Sequence, residues 1–171
     1  SIDNIYRHQI TISSSMHLTS NNEHKNRVES ILGSKNNVYN IGALSLSNLQ
    51  KIKIPIWNDI CKNFNIPNSP FILITFHPET VNSYKNYKYV EILKKVLLKL
   101  SKTINLIISS CNADSYGSLY NNLMNELKID NPKSVYIVDS FGKLNYFSAI
   151  KSCNFVLGNS SSGIIESASF R

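Results

Sequence analysis

From residue 70 onward, continuous apolar runs alternate with segments whose apolar residues recur at helical spacing. Residues 71–76 form the first run, rich in β-formers and closed by His77-Pro78. Val90, Leu93, Val96, Leu97 and Leu100 then return at helical intervals and predict a helix. Residues 105–110 are a second buried-strand run, followed by a loop over 111–117 and a helix carrying Leu119, Leu123 and Leu127. Residues 135–138 read as a third strand, ahead of a helix through Leu144, Phe147 and Ile150. Residues 155–157 are a fourth, leading through 158–163 into a last helical stretch. Strands that are apolar throughout, alternating with amphipathic helices, indicate an α/β fold with a parallel sheet covered on both faces.

The first 50 residues repeat the theme less clearly. Residues 16–19 and 38–41 read as short strands around a helix over 21–32. Residues 10–12 suit a strand by β-branched content, or equally the end of a helix starting near Ser1. The stretch 44–70 carries Pro55, Pro67 and Pro70 with polar residues around Trp57, and reads as the join between two α/β units. The expected division is 1–54 and 55–171. No internal repeat or low-complexity tract is visible.

Composition narrows the partners. With 171 residues, 42% of them hydrophobic, the chain can bury a core. No apolar run approaches the roughly 20 residues that cross a bilayer, so no membrane is expected as a partner. No basic segment leads into an apolar one as in a secretory signal. The chain opens on Ser1-Ile2-Asp3, which reads as the inside of an element and suggests a piece of a longer chain. The net charge is +7, but 15 lysines against 3 arginines lie scattered, with no basic block. That pattern argues against nucleic acid and stays compatible with an anionic substrate. Cys61, Cys111 and Cys153 show no CxxC spacing and sit near apolar segments, so a reducing, cytoplasmic compartment without a zinc site is expected. A homo-oligomer is compatible with all of this.

In an open parallel sheet ligands bind beyond the carboxyl ends of the strands. Two loops there are chemically unusual. Gly158-Asn159-Ser160-Ser161-Ser162-Gly163, followed by Glu166, offers glycines for close backbone approach and three hydroxyls before a helix. It could cradle a diphosphate; the plainer reading is a serine cap on a flexible turn. Glu166 would suit sugar hydroxyls better than a phosphate. His77-Pro78-Glu79-Thr80 places a histidine at a strand end as a proton donor or phosphate ligand, or simply as a polar loop residue. Glu79 could be catalytic, but reads rather as a solvated loop carboxylate. If residues 1–8 are helical, Asp3 and Arg7 share a face, either as a weak salt bridge or as an acid/base carboxylate beside a cation.

Taken together, these places resemble the hydrolysing UDP-N-acetylglucosamine 2-epimerases. The family's S/T-I-D-x-x-x-R-H-x-I-T segment is matched by Ser1-Ile2-Asp3 through Arg7-His8-Gln9-Ile10-Thr11. Its H-P-x-T is matched by His77-Pro78-Glu79-Thr80, and its G-N-S-S-x-G-x-x-E by Gly158 through Glu166. Weaker matches are Asn112-Ala113-Asp114 and the region from Gly42 to Ser45. The H-P form, rather than H-R followed by Glu-Asn, favours the hydrolysing branch.

The resemblance implies two Rossmann-like units of the GT-B type, the first truncated on its N-terminal side and the second on its C-terminal side. It makes residues 1–13 helical. Asp3, Arg7 and His77 would be catalytic; Asn112, Ser160, Ser161, Gly163 and Glu166 would bind UDP, with Glu166 on the ribose. The implied chemistry is loss of the C2 proton and of UDP from C1, giving a 2-acetamidoglucal, then hydration to N-acetylmannosamine, without metal or other cofactor. The segments before and after these residues in the family are missing, which leaves the catalytic set incomplete and the piece expected to be inactive alone. A non-hydrolysing epimerase, a glycosyltransferase of the same architecture and a non-catalytic nucleotide-sugar sensor remain rivals.

Overall fold

The computed structural model describes residues 2–47, 52–110 and 116–170. The chain divides into two units, Ser1–Ile52 and Lys53–Arg171. Both are built on parallel strands, as the apolar runs predict.

In the first unit, helix α1 spans Ile2–Ser13, strand β1 His17–Thr19, helix α2 Asn22–Leu32 and strand β2 Val38–Asn40. A 3-10 turn follows at Leu44–Leu46. Residues 10–12 are thus helical, and their β-branched side chains do not set their structure. Helix α2 starts where Asn21 accepts a hydrogen bond from the backbone N–H of His24 at 2.7 Å. It ends at Gly33, whose left-handed φ of 64° suits glycine. Strand β1 pairs with β2 in parallel, His17 opposite Val38. Among the described residues of this unit only Thr19 and Val38 are buried.

The second unit contains helix α3 (Trp57–Phe64), strand β3 (Phe71–Thr75), helix α4 (Asn86–Leu100) and strand β4 (Asn105–Ser109). Helix α5 (Gly117–Asp130), strand β5 (Val135–Val138), helix α6 (Gly142–Ser152), strand β6 (Phe155–Gly158) and the short helix α7 (Ser162–Ile165) complete it. The sheet order is β5-β4-β3-β6, all parallel. Every residue of β3 is buried, because β3 lies inside the sheet with helices on both faces. Ile72, Ile74, Leu106 and Ile108 face Leu93 and Leu97 of α4 and Leu123 and Leu127 of α5. Phe71, Leu73 and Ile107 face Ile60 of α3 and Ala149 and Ile150 of α6. Period-two alternation therefore feeds two separate core layers, which explains why these strands read as unbroken apolar runs. No helix among the described residues is long and apolar enough to cross a membrane.

Two stretches hold more than their sequence announces. The stretch expected as a join contains helix α3, whose Trp57 ring stacks on Phe71 with centroids 4.7 Å apart. Pro55 lies just before that helix and does not interrupt it, and Asn65 closes it in a left-handed conformation with φ 53°. Eight residues are too few for periodicity to announce such a helix. The last helical stretch is also short: α7 has four residues and gives way to a 3-10 turn at Ser167–Phe170. There the Ser167 hydroxyl bonds the carbonyl of Gly163, a local side-chain-to-backbone bond of the kind that competes with regular helix.

Candidate functional site

The strand order places a topological switch between β3 and β6. From β3 the chain moves outward to β4 and β5, then returns across the sheet to β6 on the other side of β3. Connections leaving two neighbouring strands toward opposite sides open a crevice at their carboxyl ends. Strand β3 ends at Thr75, just before His77, and β6 ends at Gly158, just before Asn159 and Ser160. The two loops singled out in the sequence thus meet at one place.

Backbone approach comes first. Gly158 pairs with Thr75, and a Cβ on Gly158 would lie 1.8 Å from the Thr75 carbonyl oxygen. Only glycine fits so close a crossing. The next residue ties the loops together. The Oδ1 of Asn159 accepts from the N–H of His77 at 2.7 Å, and its Nδ2 donates to the His77 carbonyl at 2.8 Å. Its own N–H donates to the Thr75 carbonyl at 3.2 Å.

The far end of the His77 loop is held by Asn86, which is fully buried at the start of α4. Asn86 Oδ1 accepts from the Glu79 N–H at 2.8 Å and from the Tyr120 hydroxyl at 3.1 Å. Its Nδ2 donates to the carbonyls of Glu79 and Ser83, each at 2.9 Å. The Glu79 carboxylate turns back and accepts from the Val81 N–H at 2.8 Å. Backbone N–H groups of Val81 and Asn82 hold its carboxyl below the usual carboxylate range. Glu79 thus holds the loop through its backbone bonds, a local role that the sequence did not announce.

The serine turn is organised by hydroxyls. Ser162 Oγ donates to Ser160 Oγ at 3.0 Å and lies 2.7 Å from the hydroxyl of Tyr146. Tyr146 in turn lies 3.5 Å from Thr75 Oγ1. The Gly163 N–H bonds the Ser160 carbonyl at 3.1 Å. No acceptor among the described residues takes the N–H of Ser160 or Ser161. The helix that follows is only four residues long and so carries little of a helix dipole.

His77, Thr75, Tyr146, Ser160, Ser162 and Lys143 line one groove of about 400 Å³. That volume lies within the roughly 300–1,000 Å³ of small-ligand sites. Ser160, Ser161 and Gly163 line an adjoining cavity. Glu166 lines neither; it lies beyond α7 and is half-buried. Asn112 lies outside the described residues. Asp3 and Arg7 belong to the first unit, where both are exposed on α1. Among the described residues no ion pair joins them, so the weak salt bridge their spacing allowed does not form. Sequence reasoning missed Asn159, Asn86 and Tyr146 as organisers. The N in G-N-S-S was visible, but its partner lies 82 residues away.

Comparison with known proteins places the sequence in a family. The family described as UDP-N-acetylglucosamine 2-epimerase matches residues 1–171. The chain is 32% identical over 171 residues to the GDP/UDP-N,N'-diacetylbacillosamine 2-epimerase (hydrolyzing) of Campylobacter jejuni, covering 99% of this chain and 44% of the relative. It is 28% identical to the polysialic acid biosynthesis protein P7 of Escherichia coli, covering 43% of it. It is 26% identical to the UDP-N,N'-diacetylbacillosamine 2-epimerase (hydrolyzing) of Legionella pneumophila, covering 44% of it. The chain thus spans less than half the length of these relatives.

Proposed function

This chain belongs to the UDP-N-acetylglucosamine 2-epimerase family, and from that premise we propose that it carries the diphosphate-binding part of a hydrolysing nucleotide-sugar 2-epimerase. The observation that carries the reading is the Asn159 clamp, which joins the His77 loop to the serine turn at the switch point. It puts an imidazole and a hydroxyl donor on one groove, where a diphosphate leaving group needs both charge stabilisation and protonation.

In this reading Ser160 and Ser161 bind the diphosphate through hydroxyl and backbone N–H groups, and Gly163 leaves room for it. His77 serves the oxygen that departs from C1. Glu166 and Asn112 hold the nucleoside. Asp3 takes the C2 proton, with Arg7 beside it on α1 drawing in the same anionic substrate. Elimination gives UDP and a 2-acetamidoglucal. Water then adds at C1 while C2 is protonated from the opposite face, releasing the 2-epimeric free sugar. The weakly acidic C2–H makes placement of the base matter more than its strength. The enzyme would work in the cytoplasm, where nucleotide sugars are made.

UDP-N-acetylglucosamine is the first substrate to test, with N-acetylmannosamine and UDP as products. A second reading takes a UDP-linked 2,4-diacetamido sugar, favoured by the names of the relatives at 32% and 26% identity. Incubating the full-length protein with either sugar nucleotide and analysing products by NMR decides. Free UDP with the free 2-epimer supports the proposal. A nucleotide-linked 2-epimer, or UDP release only when an acceptor sugar is added, overturns it in favour of a non-hydrolysing epimerase or a glycosyltransferase.

A further inference from the structure

Four hydroxyls run in a line through the site: Thr75, Tyr146, Ser162 and Ser160. Such a line has a direction, because each hydroxyl has a single proton to give. Ser162 spends its proton on Ser160 at 3.0 Å. The 2.7 Å contact between Ser162 and Tyr146 must then be a bond in which the phenol donates. A phenol, with a pKa near 10, is a stronger donor than an alkyl alcohol, which fits so short a contact. Ser160 Oγ also faces the backbone N–H of Ser162 at 3.4 Å. With two donors pointing at it, its lone pairs are occupied, and no acceptor among the described residues takes its own proton.

The opposite direction fails at its end. Ser160 would give its proton to Ser162, Ser162 to Tyr146, and Tyr146 would be left to donate to Thr75 at 3.5 Å, the longest contact in the line. Ser160 would then present only lone pairs to the groove, which repel an anion.

We propose that Tyr146 is a positioning residue that sets the direction of this hydroxyl line, so that Ser160 is held as a donor toward the anionic group of the ligand. The proposal rests on the reading of the groove as a diphosphate site. Tyr146 suits the role. It sits one turn inside α6 with Ile150 four residues on in the core, and its ring packs 6.4 Å from Phe141. Its hydroxyl is thereby carried to the carboxyl end of β3 by packing that does not depend on the hydroxyl. Aligned hydroxyls also polarise one another, which strengthens the last donor in the line.

The test is a double-mutant cycle on UDP affinity, measured by calorimetry on the full chain. Tyr146→Phe keeps the ring and should weaken UDP binding roughly 3- to 10-fold, about one ordinary hydrogen bond. Uridine, which has no diphosphate, should bind the variant as it binds wild type. In a Ser160→Ala background Tyr146→Phe should change UDP affinity less than about twofold, because its effect passes through Ser160. Ser162→Ala cuts the same line without touching the ring, should reproduce all three results, and carries the test alone if Tyr146→Phe folds poorly. Equal losses with and without Ser160, or an equal loss of uridine, would show a merely structural role and overturn the proposal. A weakened Ser160→Ala beside an unchanged Tyr146→Phe removes the proposal and leaves the diphosphate site standing. An unchanged Ser160→Ala removes both.

Discussion

Asn159 grips the main chain of His77 at both of its polar groups, taking the N–H at 2.7 Å and giving to the carbonyl at 2.8 Å. A single amide side chain thus sets the distance between two loops that arrive on different strands. The bond is made at the strand ends, where sheet hydrogen bonds have run out and something else must hold the backbone.

Asn159→Ala should therefore loosen the site more than the fold. Both lost bonds lie where water can replace the partner, so a stability loss of about 1 kcal/mol is expected in urea denaturation. Turnover should fall much further, with a rise in KM for the sugar nucleotide. Asn159→Asp keeps the acceptor, loses the donor and adds a charge beside the proposed diphosphate; it should bind UDP worse than Asn159→Ala.

Asn86 is the buried counterpart. Asn86→Leu strips part-buried hydrogen bonds from the backbone of Glu79 and Ser83, made by a side chain that is itself fully buried. A loss of about 3 kcal/mol is expected, read as a lower denaturation midpoint at unchanged slope. A loss under about 0.5 kcal/mol would mean that the loop reorganises freely.

Gly158→Ala should not be tolerated. The added Cβ would meet the Thr75 carbonyl oxygen at 1.8 Å, backbone against backbone, so no rotamer change can relieve it. Strands β3 and β6 would have to separate at their carboxyl ends. Low soluble yield, or destabilisation of about 3 kcal/mol or more, is expected; a variant with wild-type melting would show that the crossing is not tight.

Asp3→Asn separates the two readings of α1. No ion pair with Arg7 is lost, so stability should stay within about 0.5 kcal/mol of wild type. The amide cannot accept the C2 proton, so turnover in the full-length protein should collapse while UDP affinity holds. Normal turnover would remove Asp3 from the mechanism.

Glu79 carries a pH signature. Its folded-state carboxyl titrates below the ordinary value of 4.5, because backbone N–H groups favour the charged form. The unfolded chain then binds the proton more readily than the folded one, so this stabilisation is complete above the ordinary value and is lost as pH falls through the folded one. Acid melts of wild type and Glu79→Gln should converge as pH falls from the ordinary value of 4.5 through the lower folded-state one. Curves that stay parallel would show that the carboxylate contributes nothing.

Strands β3 and β4 were legible in the sequence because their middles are buried on both faces, so burial writes each as an unbroken apolar run; the edge strands β5 and β6 are only partly buried and left shorter runs. The position of the two unusual loops was legible too, since both follow such runs at strand ends, but each alone also suited a plain serine cap or a polar loop histidine. Local pattern stopped short at α3, whose eight residues give too little periodicity, and at α7, where serine hydroxyls and a 3-10 turn displace regular helix. What only the tertiary structure decided is who meets whom. Strand order brought β6 against β3, register set Gly158 opposite Thr75, and that pairing delivered Asn159 to His77. Helix α6 carried Tyr146 to a strand end 71 residues away in sequence. These contacts join residues with no shared period, so they exist only once burial of the apolar strands has fixed the sheet.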